Sequence, residues 1–120
     1  MSVPSSRSEY NAKSTEATFL RDALFAAAGE TRMIVAVAAF RALADMAAFD
    51  PQIDIRRLDS MLAGCADDHS AAPAARSMAV QLCGERRVNS TRPALERILA
   101  SPDSPEILRR SASHALARLR

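Results

Sequence analysis

The sequence predicts an all-α protein of about six helices, arranged as three stacked antiparallel hairpins. Three observations predict it. Apolar residues recur at three- to four-residue spacing through most of the chain, the period of one helix face. Aromatics are scarce, four Phe, one Tyr and no Trp, although 48% of the residues are apolar. The core must therefore be built from Ala, Leu, Ile, Val and Met, which favours close helix packing over a sheet. The later part of the chain also superposes on itself at a shift of 37 residues, about the length of one helix pair.

Residues 1–14, MSVPSSRSEYNAKS, are polar and Ser-rich and are expected to form an unstructured tail before a single helical-repeat domain with units 15–49, 50–88 and 89–120. The first helix is expected to be capped by Ser14 or Thr15 and to bury Phe19, Leu20, Ala23, Leu24 and Ala27. Gly29 is expected to end it in a left-handed conformation, with Thr31 capping the next helix. That next segment, Thr31–Phe49, is the most apolar in the chain, interrupted only by Arg32, Arg41 and Asp45. Arg41 and Asp45 stand four apart, where they can pair across one turn. The run is too short and too charged to span a membrane, so it is expected to be the buried hub.

Asp50-Pro51, with Asp54 as the alternative, starts a third helix with the stripe Ile55, Leu58, Met61 and Leu62, closed by Gly64. Pro73 opens a fourth that buries Ala75, Met78, Ala79 and Leu82 and stops at Gly84. Thr91 and Pro93 open a fifth with Leu95, Ile98 and Leu99 on one face. Ser104, Pro105 and Glu106 are three start signals for the last, which carries Ile107, Leu108, Ala112, Ala115, Leu116 and Leu119.

At the 37-residue shift, Leu58, Met61 and Leu62 fall on Leu95, Ile98 and Leu99, while Ala75, Met78, Ala79 and Leu82 fall on Ala112, Ala115, Leu116 and Leu119. The first hairpin follows at shifts of 38 for its first helix, with Leu20 on Leu58, and 36 for its second, with Leu43 on Ala79. The clearest unit, RPALERILASPDSPEILRRSASHALARL, joins Pro93, Leu95 and Leu99 through Asp103 and Pro105-Glu106-Ile107 to Arg109, Arg110, Ala112, Leu116 and Leu119. In this it resembles the HEAT-repeat family, particularly its short bacterial members. The middle unit departs by carrying Asp67-Asp68 in place of the Asp-Pro turn, and the first has only Gly29-Glu30-Thr31. The resemblance implies an α-solenoid with a right-handed superhelix and a scaffolding or adaptor role, and it implies no chemistry.

The net charge is +2, but residues 85–120 hold eight basic and four acidic groups, so the positive excess lies in the last third. Lys13 is the only Lys. Cys65 and Cys83 make neither a disulfide framework nor a metal spacing and are expected to be reduced, packed thiols in a cytoplasmic protein. The Ser-rich start also suits type III export. His69 and His114 stand apart from any ligand set, the three glycines form no phosphate loop, and no serine lies in a nucleophile motif. The expectation is a non-enzyme with no cofactor, metal, membrane segment or small-molecule substrate. A protein partner or homodimer is expected instead, with Val37 and Phe40 on the hub and Arg109 and Arg110 on the last helix as candidate contacts. The alternative is nucleic acid, gripped through phosphate contacts by Arg86, Arg87, Arg92, Arg118 and Arg120.

Overall fold

In the computed structural model, six α-helices follow one another: α1 (Pro4–Gly29), α2 (Val35–Ala47), α3 (Ile55–Ala66), α4 (Pro73–Glu85), α5 (Arg92–Ala100) and α6 (Glu106–Arg118), with a 3₁₀ turn at Asn89–Thr91 before α5. Residues 4–119 are described, with side chains from Thr15 to Leu119. Helix α1 runs through residues 4–14, where a tail was expected and from whose end Ser14 or Thr15 was to cap the helix. Residues 1–3 and the candidate Arg120 lie outside the described residues. Among the described residues there is no strand, and no helix is long and apolar enough to cross a membrane.

Polar bonds between helices fix their directions. Within hairpins they join a residue well before the end of the first helix to one just past the end of the second. Arg21 reaches Asp50 at 3.3 Å, Arg86 reaches Asp59 at 2.7 Å, and Arg92 donates to the Leu119 carbonyl at 2.8 Å. The pairs α1–α2, α3–α4 and α5–α6 are therefore antiparallel. Between hairpins the register runs the other way. The Ala72 amide donates to the Thr31 carbonyl at 2.8 Å, and farther along Arg41 meets Glu85 at 3.2 Å. Ser77 and Ser111 share a hydrogen bond of 2.7 Å, and Gly84 lies against Ala115. Helices α2, α4 and α6 thus form one parallel layer, with α4 in its middle.

That position makes α4 the hub. It packs on α2, α3 and α6 and buries Ala75, Arg76, Ser77, Ala79, Val80, Leu82, Cys83 and Gly84. The more apolar Thr31–Phe49 run, expected to hold this place, has its helix at the edge of that layer, packed on α1, α3 and α4. Its helix begins at Val35 rather than at a Thr31 cap, and it buries Ala36, Ala39, Phe40 and Leu43 on a single face. Burial follows location in the layer, so hydrophobicity alone named the wrong helix. The Arg41–Asp45 pair is present but long, at 4.0 Å.

The first helix also differs in register. Phe25 and Ala28 are buried while Phe19 and Leu20 are exposed. Phe25 and Ala28 stand 37 positions before the buried Leu62 and Cys65, so burial in α1 repeats at 37 rather than at the expected 38. Arg57 of α3 lies over the Phe25 ring, 4.4 Å from its centroid, tying α1 to the next hairpin.

Gly29 is the last residue of α1, as expected, but the other two glycines have other uses than ending helices. Gly64 and Gly84 lie inside α3 and α4, and no described glycine has a positive φ. The left-handed residue after α4 is Arg87, at φ 56°. Gly84 instead permits contact: a Cβ there would stand 2.7 Å from the Ala115 Cα. Asp54, the alternative start signal, caps α3 by accepting from the Arg57 amide at 3.0 Å, while Asp50 accepts from the Gln52 amide before it. Pro73 opens α4 as expected. Neither Thr91 nor Ser104 caps its helix by side chain; the Thr91 hydroxyl is turned to the Val88 carbonyl. Arg76, only 8% exposed, closes the other end of α3 by donating twice to the Ala66 carbonyl, at 3.3 Å and 2.9 Å.

Candidate interaction surface

Two surfaces stand out once the helices are in place. The first is apolar and belongs to the first hairpin. Nine large apolar side chains are exposed among the described residues, and six of them, Phe19, Leu20, Met33, Ile34, Val35 and Phe49, lie in residues 15–49. Ile34 and Phe49 are the most open, at 77% and 78%. The 3.6-residue turn sorts α2 and its flanks into two faces. Ala36, Phe40 and Leu43 point into the core, whereas Ile34, Val35, Ala38, Asp45 and Phe49 point to solvent.

This corrects one candidate contact. Phe40 is wholly buried and cannot reach a partner; it fills the monomer core. Val37 is half-buried and packs against the same core. The exposed apolar side chains of α2 and its flanks lie on the other side of the helix from Phe40, and Phe19 and Leu20, expected inside, are exposed.

The second surface is polar. A groove of about 280 Å³ runs between α4 and α6, walled by Gln81 and Glu85 on one side and by Arg110, His114 and Arg118 on the other, with Ser111 and Ala115 along its floor. Arg110, His114 and Arg118 stand four residues apart and share one face of α6. Arg110 also touches Glu106 at 3.2 Å. Arg109, its expected companion, is half-buried and does not line the groove.

The remaining candidate arginines are divided by their partners. Arg86 is held by Asp59 and Arg92 by the Leu119 carbonyl, so both are engaged in joining helices. Arg97 is likewise matched to both oxygens of Asp67 at 3.0 Å. Arg87 and Arg118 are exposed. The expected basic face is therefore broken up: Arg86 is taken by a carboxylate of its own hairpin and Arg92 by a backbone carbonyl, and Arg97 is matched by a carboxylate of the hairpin before it.

Cys65 and Cys83 are buried free thiols. Burial pushes Cys65 up to about 11, with Asp68 adding to the rise and Arg76 opposing it. Burial pushes Cys83 up to about 12; a Thr91 hydrogen bond opposes this, and Asp59 and Cys65 reinforce it. Neither forms appreciable thiolate at neutral pH. We expect a thiol reagent at pH 8 to label both only as fast as the chain unfolds; rapid labelling of the native protein would contradict their burial. The sign of the linkage follows. Both folded values exceed the ordinary value of 9.0, so their contribution to stability is intact below pH 9 and is lost as pH rises toward the folded values. In the α3–α4 loop, the Ser70 hydroxyl and amide donate to Asp68 and hold its carboxyl below the usual range.

Among the described residues, no three His, Cys, Asp or Glu side chains gather as metal ligands would. His69 and His114 are both exposed. In comparisons with known protein families, curated proteins and solved structures, no match to this chain was found.

Proposed function

We propose that this chain is a non-catalytic protein-interaction module, a short helical-repeat scaffold of the HEAT-like kind that docks through its first hairpin. The observation that carries the reading is the concentration of exposed large apolar side chains on that hairpin, led by Ile34 and Phe49. Scattered exposed apolar residues are ordinary on a protein surface. Their concentration on one hairpin is what an interface requires. Antiparallel hairpins whose second helices lie parallel support the solenoid reading. Free, buried thiols agree with a reducing, cytoplasm-like compartment.

The nucleic-acid reading has less behind it. Arg86 and Arg92 already bridge helices, and each would have to exchange an internal partner for a phosphate.

A second copy of this chain is the partner that can be tested directly. We expect the sedimentation coefficient of the wild-type chain to rise with concentration, and the Ile34→Asp/Phe49→Asp double variant to sediment as a folded monomer. A variant that keeps the same concentration dependence would refute docking through this face.

A further inference from the structure

The groove between α4 and α6 lies on a different hairpin pair from the apolar face and differs from it in chemistry. Gly84 and Ala115 bring the two helix backbones together at its floor, where a Cβ on Gly84 would stand 2.7 Å from the Ala115 Cα. Long polar side chains rise on both sides and leave a cleft of about 280 Å³.

Its charge is lopsided. Arg110 and Arg118 face it from α6, with His114 between them, while the only carboxylate in its lining is Glu85. Glu85 is occupied on both oxygens: Arg41 donates to Oε1 at 3.2 Å and Gln81 donates to Oε2 at 3.2 Å. It therefore does little to neutralise the far wall. Arg118 has no ion-pair partner among the described residues, and Arg110 has only the exposed Glu106 on its own helix. Exposed pairs of that kind are weak and easily exchanged.

We propose that this groove receives an acidic segment of a partner protein, with Arg110 and Arg118 taking its carboxylates and Gln81 and His114 completing the polar lining. The inference rests on the reading of the chain as an interaction module and names the chemistry of one partner. The spacing supports it: positions four apart on α6 are separated by about 6 Å along the axis, so Arg110, His114 and Arg118 span about 12 Å. A helix with glutamates at the same four-residue interval would present carboxylates in register. Nucleic acid fits less well. The groove has no aromatic side chain on which a base could stack.

The test uses fluorescence anisotropy with a labelled peptide bearing Glu at every fourth position, and in parallel a labelled single-stranded oligonucleotide of equal charge. Arg110→Glu/Arg118→Glu is compared with Arg56→Glu/Arg87→Glu, two exposed changes of the same total charge outside the groove. The peptide is expected to bind the wild-type chain in a salt-sensitive manner. Its affinity should fall at least about tenfold in the groove variant and stay near wild type in the control. Equal losses in the two variants would reduce the effect to net charge and overturn the site. Tighter binding of the oligonucleotide, lost in the groove variant, would overturn the choice of partner. Ile34→Asp/Phe49→Asp separates the two proposals: it should leave peptide binding intact even where it abolishes self-association.

Discussion

Phe40→Ala is expected to destabilise the chain by about 3–5 kcal/mol, a large share of what holds a domain of this size together. The ring is wholly buried among the largest side chains of the core. Its helix meets both α1 and α4, so the cavity would open between two hairpins, where neither can collapse without disturbing the other. Chemical denaturation would show the loss as a fall in midpoint. The same truncation at Phe49, which is 78% exposed, should change monomer stability by far less. If the two variants unfolded at the same denaturant concentration, the sorting of α2 into a core face and an open face would be wrong.

The second large effect separates two glycines that look alike in sequence. Gly84→Ala places a Cβ 2.7 Å from the Cα and 2.9 Å from the Cβ of Ala115. The Ala115 Cα belongs to helix backbone, so α4 and α6 must move apart along their whole contact. We expect a net loss of about 1–3 kcal/mol despite the better helix propensity of alanine. Gly64→Ala meets nothing within 4 Å and lies at an exposed position in the last turn of α3. It should stabilise the chain by up to about 1 kcal/mol. Opposite signs in thermal melts would establish that Gly84 is there for helix contact, and matching signs would remove that role.

The contrast shows what was legible in the sequence and what was not. Leu58, Leu62, Leu95, Leu108 and Ala112 were readable as core because each lies in a stripe bounded by proline or aspartate, and all five are buried, although Ile55, Leu99 and Ile107 of the same stripes are exposed. In the first helix Phe19, Leu20, Leu24 and Phe25 supply two overlapping stripes. Periodicity could not choose between them; packing against α2 and α3 chose the one with Phe25. The hub was misread because α4 owes its burial to lying between two hairpins, and its small residues Ala75, Ser77, Ala79 and Gly84 are what let those neighbours approach. The arginines were visible only as a charge excess. Their partners Asp50, Asp59, Asp67 and Glu85 lie 27–44 residues away in sequence, and no local pattern pairs them. One signal of the polar groove was present throughout: Arg110, His114 and Arg118 at intervals of four.

The account turns on the claim that the apolar surface of the first hairpin serves contact with another protein rather than the fold of a single chain. Urea unfolding of the wild-type chain and of Phe49→Asp, each at several protein concentrations, tests it most directly, because an associating chain gains stability with concentration. The account predicts a wild-type midpoint that climbs with concentration and a variant midpoint that stays flat, the two converging in the dilute limit. A wild-type midpoint independent of concentration, with Phe49→Asp unfolding earlier at every dilution, would contradict it and return Phe49 to the core.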